Sequence, residues 1–174
     1  MKLDIQHGIF TSYSGSAVLT SENHIATTTI YGPSDNILRD EICDTLSFEV
    51  RVRHSSNARP FESLMSGIVS RILEQYIDRE ADRYRSFIVN VYTNAFNLSL
   101  ICNSVLVACL DAGIPLKSMF YCTGIDTLFV FSGNSVDLWH AYGPVDDNTR
   151  KTAMKDLEYI KESIKYGIKD MFSL

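Results

Sequence analysis

Hydrophobic and polar residues alternate in the first third of the chain, and this period of two predicts β-strands. The clearest case is the segment 46–53, in which every second residue is apolar. Gly8 to Leu19 and His24 to Tyr31 predict two further strands, and the polar residues 20–23 between them are typical of a hairpin turn. Gly32-Pro33 is expected to end the second strand.

Three helices are predicted from apolar residues that recur three or four positions apart. The first starts near Pro60 and continues to Ile77. The second, Asn97 to Ala112, is apolar nearly all round, with Asn97 as N-cap and Gly113 and Pro115 ending it. The third follows Asp146-Asp147-Asn148 and has a narrow apolar stripe, which comprises Leu157, Ile160, Ile164, Ile168 and Met171.

Four more strands are predicted around the second helix. Arg85 to Thr93 has apolar residues on both faces, as expected of a central strand; Ser118 to Cys122, Ile125 to Phe131 and Val136 to Ala141 come later, with a turn at Gly133-Asn134. The predicted order is βββ-α-β-α-βββ-α. We expect a single α+β domain over residues 1–174, with helices on a mixed sheet and exposed sheet edges that invite a partner.

Length and charge narrow the classes of function. The chain has 174 residues, 45% of them hydrophobic, and a net charge of −5. These values are typical of one globular domain, and the longest uncharged apolar run, Val105 to Leu110, is too short to span a bilayer. We therefore expect no secretion signal and no membrane contact. The acidic balance predicts that any RNA contact is local rather than spread over the surface.

Candidate chemistry is sparse. The sequence has no Gly-rich phosphate loop, no Gly-x-Ser-x-Gly segment and no Cys-x-x-Cys, so we predict no cofactor. Its four cysteines lack metal-type spacing, and this usage is typical of a reducing compartment, the cytosol or nucleus; they are Cys43, Cys102, Cys109 and Cys122. Four aspartates could hold a divalent cation, but we favour helix-capping and strand-end roles and predict no metal site; they are Asp126, Asp137, Asp146 and Asp147.

Basic residues concentrate just before the first long helix. Arg51 and Arg53 occupy outward positions of a strand, for which we favour a solvated face over an RNA path. Arg59 lies in the predicted loop, where binding residues concentrate, and the two interpretations are balanced. We predict Arg59 as the leading RNA-binding residue, followed by Arg53 and His54.

Three segments, taken in order, resemble the ribonuclease PH family as it occurs in the eukaryotic RNA exosome. They are Gly8-Ile9 with Gly15-Ser16-Ala17, then Ile30-Tyr31-Gly32-Pro33, and Ala108-Cys109-Leu110-Asp111-Ala112-Gly113-Ile114-Pro115. The resemblance extends from Gly8 to about Cys122. It implies a ribonuclease PH-like fold, which is shared with the second domain of ribosomal protein S5.

The chain departs from the family where active members perform chemistry. Active members carry a Gly-Thr-Arg segment at the start of the central helix, where the arginine and the helix N-terminus bind phosphate. Phe96-Asn97-Leu98 stands at the matching positions, and the aliphatic Leu98 cannot neutralise an anion. The acidic catalytic loop that follows in active members also has no counterpart here.

The resemblance thus implies a non-catalytic subunit of the exosome core ring, which contributes to ring assembly and to the RNA channel in 3'-to-5' RNA processing and degradation. Implied partners are other ribonuclease PH-like subunits, RNA-binding cap subunits, an associated hydrolytic nuclease and single-stranded RNA. Implied locations are the nucleus, including the nucleolus, and the cytoplasm. Two alternatives stay open: an active phosphate-dependent exoribonuclease or metal-dependent nuclease using Asp126 or Asp137, and a homodimer with no role on RNA.

Overall fold

The computed structural model describes residues 3–35, 45–81, 85–124, 127–133, 135–141, 145 and 147–171. Strands and helices follow one another in these residues in the order ββββ-α-β-α-βββ-α, with a short 3-10 turn, Lys169–Met171, at the end. Their bounds are β1 Leu3–His7, β2 Gly15–Ser21, β3 His24–Asp35, β4 Ser47–His54, α1 Arg59–Tyr76, β5 Arg85–Thr93, α2 Leu98–Asp111, β6 Phe120–Thr123, β7 Thr127–Ser132, β8 Ser135–Ala141 and α3 Asp147–Gly167.

A five-stranded sheet with the order β1-β2-β3-β5-β4 forms the centre of the fold. Its pairs are antiparallel except for β4 and β5, which run parallel, so the sheet is mixed, as predicted. One face of this sheet packs on α1 and α2, and α2 is buried along nearly its whole length. The predicted α+β fold class is confirmed.

The predicted start of the sheet was wrong. β1, Leu3–His7, was not predicted, although Leu3 and Ile5 alternate with Asp4 and Gln6 and gave the necessary signal. The strand predicted to start at Gly8 starts at Gly15, because residues 8–14 form the loop that connects β1 to β2.

The predicted end of β3 was also wrong, because this strand continues past Gly32-Pro33 to Asp35. Its pairing with β5 is irregular between Tyr31 and Ser34. Proline has no N–H to donate, and a register irregularity is one of the few places in a sheet that accept it.

The helices match their predicted patterns closely. Asn97 caps α2, since its Oδ1 accepts the Leu100 N–H at 3.0 Å, and Gly113 ends this helix at a φ of 66°. The buried residues of α3 include Leu157, Ile160 and Ile164 of the predicted stripe. No described helix is both long and apolar enough to cross a membrane.

A second sheet, β6-β7-β8, packs beside the first through α2 and α3. Ser132 pairs with Ser135 across the predicted two-residue turn. The buried Asn103 of α2 attaches this sheet to the core, because its side chain forms two hydrogen bonds with the backbone of Cys122 in β6.

Candidate nucleic-acid interface

The three predicted RNA-binding residues lie around one turn of the chain. Arg53 and His54 are the last two residues of β4, and Arg59 is the first residue of α1. The turn between them is closed by a hydrogen bond from the Asn57 N–H to the His54 carbonyl at 2.9 Å. The fold thus brings these residues to one end of the sheet, and whether they bind RNA stays a prediction.

Glu62 in the first turn of α1 fixes the end of β4. Its Oε1 accepts the His54 N–H at 3.0 Å, and its Oε2 accepts from the Arg53 guanidinium at 3.2 Å. The Glu62 side chain is 7% exposed and that of Arg53 is 65% exposed. One end of this ion pair is therefore anchored in the protein while the cation faces solvent, which holds Arg53 in a defined position at the surface.

The environment of Glu62 favours its charged form. The hydrogen bond from the His54 N–H lowers the pKa of Glu62 below its ordinary value of 4.5, and Arg53 lowers it further against the opposing effect of burial. A folded-state pKa below the unfolded value means that this carboxylate stabilises the fold above pH 4.5, and that the contribution is lost as the pH falls through the folded-state pKa.

We expect Glu62→Gln to lower the thermal midpoint at pH 7 and to have little effect in acid. Glutamine keeps the shape of the side chain but loses the charge that pairs with Arg53. Melting curves of the two proteins from pH 7 downward should converge below pH 4.5. Glu74→Gln, at an exposed position on the same helix, is the control and should leave the midpoint unchanged throughout. A difference in thermal midpoint between wild type and Glu62→Gln that stays constant with pH would contradict a charged role for Glu62.

His54 belongs to an aromatic cluster rather than to the open surface. Its ring stacks on Phe96 at 4.1 Å between centroids and meets Phe61 edge-on at 5.7 Å. The Ser56 N–H donates to Nδ1 at 3.1 Å, so the neutral ring carries its proton on Nε2, which is buried and has no hydrogen-bond partner among the described residues. His54 is only 5% exposed, so it acts on the surface mainly by supporting Phe96.

Phe96-Asn97-Leu98, which occupy the positions matching the phosphate-binding segment of active ribonuclease PH members, lie at the start of α2. Leu98 is fully buried in the main hydrophobic core. Asn97 is also buried, and its Oδ1 accepts from both the Leu100 N–H and the Ser99 hydroxyl. Phe96, which is 56% exposed, covers His54. The chain's own side chains therefore occupy and cap this helix end.

A groove of about 560 Å³ opens beside the end of β4. Its walls come from the start of β3, the end of β4 with the following turn, and the end of β5; they include Ile25, Thr27, Arg53, His54, Asn57, Tyr92 and Asn94. Asn94 is part of the scaffold, since its Oδ1 accepts the Ile25 N–H at 2.7 Å and its amide donates to the Asn23 carbonyl at 3.0 Å. Tyr92, at 56% exposed, presents an aromatic ring to solvent beside Arg53.

The remaining basic residues differ in their surroundings. Arg51 pairs with Glu49 at 2.7 Å, and both side chains are more than half exposed, which agrees with the solvated strand face that we favoured. Arg59 is exposed, and its guanidinium forms no ion pair with the described residues. It is therefore available for an anionic partner.

Sequence patterns missed Glu62, Tyr92 and Phe96 as members of this site. The spacing of Arg53 and Glu62, with an acid in the first turn of a helix, gave a usable signal for the ion pair. Tyr92 was assigned to a strand that is buried on both faces, which was wrong, because its face of β5 is uncovered at this end. The Phe96–His54 stack joins distant segments, so no local pattern revealed it.

The three described cysteines lie in the core. Cys102, Cys109 and Cys122 are buried free thiols, and burial raises the pKa of Cys109 to about 12. Among the described residues, no cluster of three or more histidine, cysteine or acidic side chains could hold a metal ion. Cys43, Asp126 and Asp146, and the side chain of Asp137, lie outside the described residues, while Asp147 begins α3.

Known structures share this fold, although no family model and no characterised protein sequence matches the chain. The crystal structure of rice (Oryza sativa) Rrp46 is similar with a TM-score of 0.79 and 14% identity, over 94% of this chain and 93% of that chain. This chain has the fold of Rrp46. An archaeal exosome core chain is similar with a TM-score of 0.71 and 9% identity, over 95% of this chain and 86% of its own. The Rrp46-like fold confirms the ribonuclease PH-like architecture that the sequence resemblance implied.

Proposed function

We propose that this protein is a non-catalytic subunit of an RNA exosome-type core ring and contributes to the path of RNA through it. The likeness to Rrp46 and to an archaeal exosome core spans almost the entire chain, which supports the ring subunit. The observation that carries the non-catalytic part is the burial of Leu98 at the start of α2.

To bind at this helix end, a phosphate needs backbone N–H groups that have no other hydrogen-bond partner, and it needs a nearby positive charge. Leu98 offers neither, and it is fully buried, so its side chain cannot swing aside without opening the core. The Asn97 cap already uses the Leu100 N–H that an anion would otherwise bind. A ligand phosphate at this place would have to displace the cap and lie against an aliphatic side chain.

Open sheet edges support assembly. Among the described strands, β1 and β4 form the edges of the large sheet and β8 forms one edge of the small sheet, whose other edge strand, β6, is paired with Asn103 at Cys122. Such edges present unpaired backbone groups that another subunit can cover. The partners in this proposal are other ribonuclease PH-like subunits, RNA-binding cap subunits and a separate hydrolytic nuclease, with single-stranded RNA as ligand. The location that we propose for the protein is the nucleus, including the nucleolus, and the cytoplasm.

Two measurements test this proposal. Native mass spectrometry of the protein isolated from its source should show a ring with homologous subunits; a monomer or a homodimer alone would refute the assembly. Purified chain incubated with labelled single-stranded RNA, phosphate and Mg²⁺ should release no nucleoside diphosphates. Phosphate-dependent release would establish the enzyme instead, and shortening of the RNA that needs Mg²⁺ but not phosphate would indicate a metal-dependent nuclease.

Arg59 provides a matched test of RNA contact. We expect Arg59→Glu to weaken the protection of RNA in the assembled ring without dissociating it, because the change reverses an exposed charge that no described carboxylate pairs with. Arg71→Glu reverses the charge at another exposed position of α1 and should have no such effect. Nuclease protection and native mass spectrometry of both variants measure the two quantities. Equal protection in the two variants would remove Arg59 from the site.

A further inference from the structure

The outer face of the large sheet carries aromatic rings that pack on no described helix. Alternation along each strand directs one set of side chains to α1 and α2 and the other set outward. On β3 and β5 the outward set includes Ile25, Tyr31 and Tyr92, which are 41%, 56% and 56% exposed. Scattered exposed apolar residues are common, so their arrangement beside an arginine and a groove, rather than their exposure alone, is the informative feature.

Strand register orders these side chains in rows across the face. Thr27 pairs with Tyr92, and Tyr92 with Arg53 on the other side. One row farther on, Thr29, Asn90 and Arg51 lie side by side, and beyond them Tyr31 pairs with Ile88, which pairs with Glu49. The two tyrosines are therefore separated by four residues along the strands, roughly 14 Å, with the buried Thr29 and the half-buried Asn90 between them.

The groove forms one end of this face. Ile25, Thr27, Arg53 and Tyr92 all contribute to its walls, and all four belong to the outward set. Its cation is held in place by the buried Glu62, so less side-chain entropy is lost when Arg53 binds an anion.

The charged residues of β4 favour binding of an anionic ligand at its groove end, next to Arg53, over binding at its other end, next to Glu49. Arg53 is the cation at the groove, and its paired carboxylate is buried beneath it. Arg51 follows one row away, paired with Glu49 in the next row. The other described acidic residue of the outward set, Asp4, lies on the opposite edge strand. The exposed guanidinium of Arg53, with its carboxylate partner below the surface, thus lies beside the exposed Tyr92 ring in a chain whose net charge is −5.

We propose that the outer face of the large sheet binds single-stranded nucleic acid, with a base stacked on Tyr92 in the groove, a second base on Tyr31, and backbone phosphate at Arg53. Stacking platforms beside cationic grooves are a common way to hold single strands. This proposal takes the nucleic-acid ligand of the proposed function and assigns it a surface beyond the predicted turn residues.

A protein partner fits this face less well. Obligate protein interfaces are more apolar than ordinary surface, with few charges at their centre. Here threonine, asparagine and arginine side chains separate the two aromatic rings. Isolated rings on a polar background suit flat bases better than they suit a continuous hydrophobic interface.

The test measures binding of a fluorescein-labelled single-stranded oligonucleotide to the full chain by anisotropy. Because a stacked base contributes to affinity, Tyr92→Ala should weaken binding about tenfold. Tyr31→Ala should weaken it by less, and the double variant should weaken it more than either single change. Tyr92→Phe and Tyr31→Phe keep the ring and should bind like the wild type. Tyr166→Ala, at an 82% exposed tyrosine on α3, is the control and should bind normally. Circular dichroism and melting midpoints establish that each variant is folded.

The proposal would be overturned if the wild-type chain did not bind the oligonucleotide, or if folded Tyr92→Ala bound it as well as the wild type. It would also be overturned if Tyr92→Phe lost as much affinity as Tyr92→Ala, because the effect would then belong to the hydroxyl group. Loss of association between subunits with unchanged RNA affinity would make this face a protein interface and would overturn it as well. Failure of the ring or of the non-catalytic assignment appears in native mass spectrometry and in the phosphate assay. The two proposals therefore fail separately.

Discussion

Gly15→Ala is expected to lower the free energy of unfolding by about 2–4 kcal/mol. Gly15 begins β2 where it crosses the end of α2. A Cβ at this position would collide with the carbonyl oxygen of Ala108 and would lie 2.6 Å from both the N and the Cβ of Ala112. None of these atoms can rotate away, so strand and helix would have to separate. Denaturant unfolding of the two proteins measures the difference.

Gly67→Ala is the matched control. Gly67 lies inside α1, and an added Cβ there would meet no atom within 4 Å. Alanine should therefore stabilise the protein by roughly 1 kcal/mol, because it reduces the freedom of the unfolded chain and favours the helix. The two substitutions add the same methyl group with opposite expected signs. Destabilisation by both, to a similar extent, would contradict the close packing of β2 on α2.

The packing around Gly15 also explains why these segments of the chain resemble the ribonuclease PH family. The Ser16 N–H donates to Oδ2 of Asp111 at 2.8 Å, and Nδ1 of His7 lies 3.4 Å from Oδ1 of the same carboxylate. Two of the resembling segments, distant in sequence, thus meet at one junction between β2 and α2. Their residue types are required by packing and hydrogen bonding there. The segments specify the architecture, whereas Phe96-Asn97-Leu98, the segment that departs from the family, lies at the opposite end of α2.

Much of the fold follows from local patterns. β5 occupies the predicted residues Arg85–Thr93, and α2 begins after its predicted cap, because period, caps and helix-ending residues are all encoded within a few positions. β1 was missed because it is short, although its alternation was present. The parallel pairing of β4 with β5 depends on segments that are joined through α1, which a local pattern does not determine.

The candidate site was less predictable than the fold. Arg53, His54 and Arg59 lie within seven consecutive residues, so their concentration was visible in the sequence. Long-range contacts determine the surroundings of these residues. Phe96, at the start of α2, stacks on His54, and β5 places Tyr92 beside Arg53. These contacts join residues that are far apart in the sequence, so neither the hydrophobic period nor the composition predicts them.

Asn103→Leu is expected to lower the free energy of unfolding by about 2–5 kcal/mol. The Asn103 amide donates to the Cys122 carbonyl at 2.8 Å, and its Oδ1 accepts the Cys122 N–H at 2.9 Å. β6 is an edge strand of the described small sheet, so this one side chain on α2 satisfies both backbone groups of Cys122 in a fully buried place.

Leucine has the branched shape and the number of side-chain heavy atoms of asparagine, but it leaves a donor and an acceptor buried and unpaired, and β6 then loses its polar attachment to α2. Chemical unfolding should show the loss in the denaturation midpoint, and hydrogen exchange should show faster exchange of the Cys122 amide in the native state. Asn148→Leu, at an exposed position in the first turn of α3, should change stability by less than about 0.5 kcal/mol. An Asn103→Leu variant as stable as the wild type would mean that the small sheet is held by its apolar contacts alone.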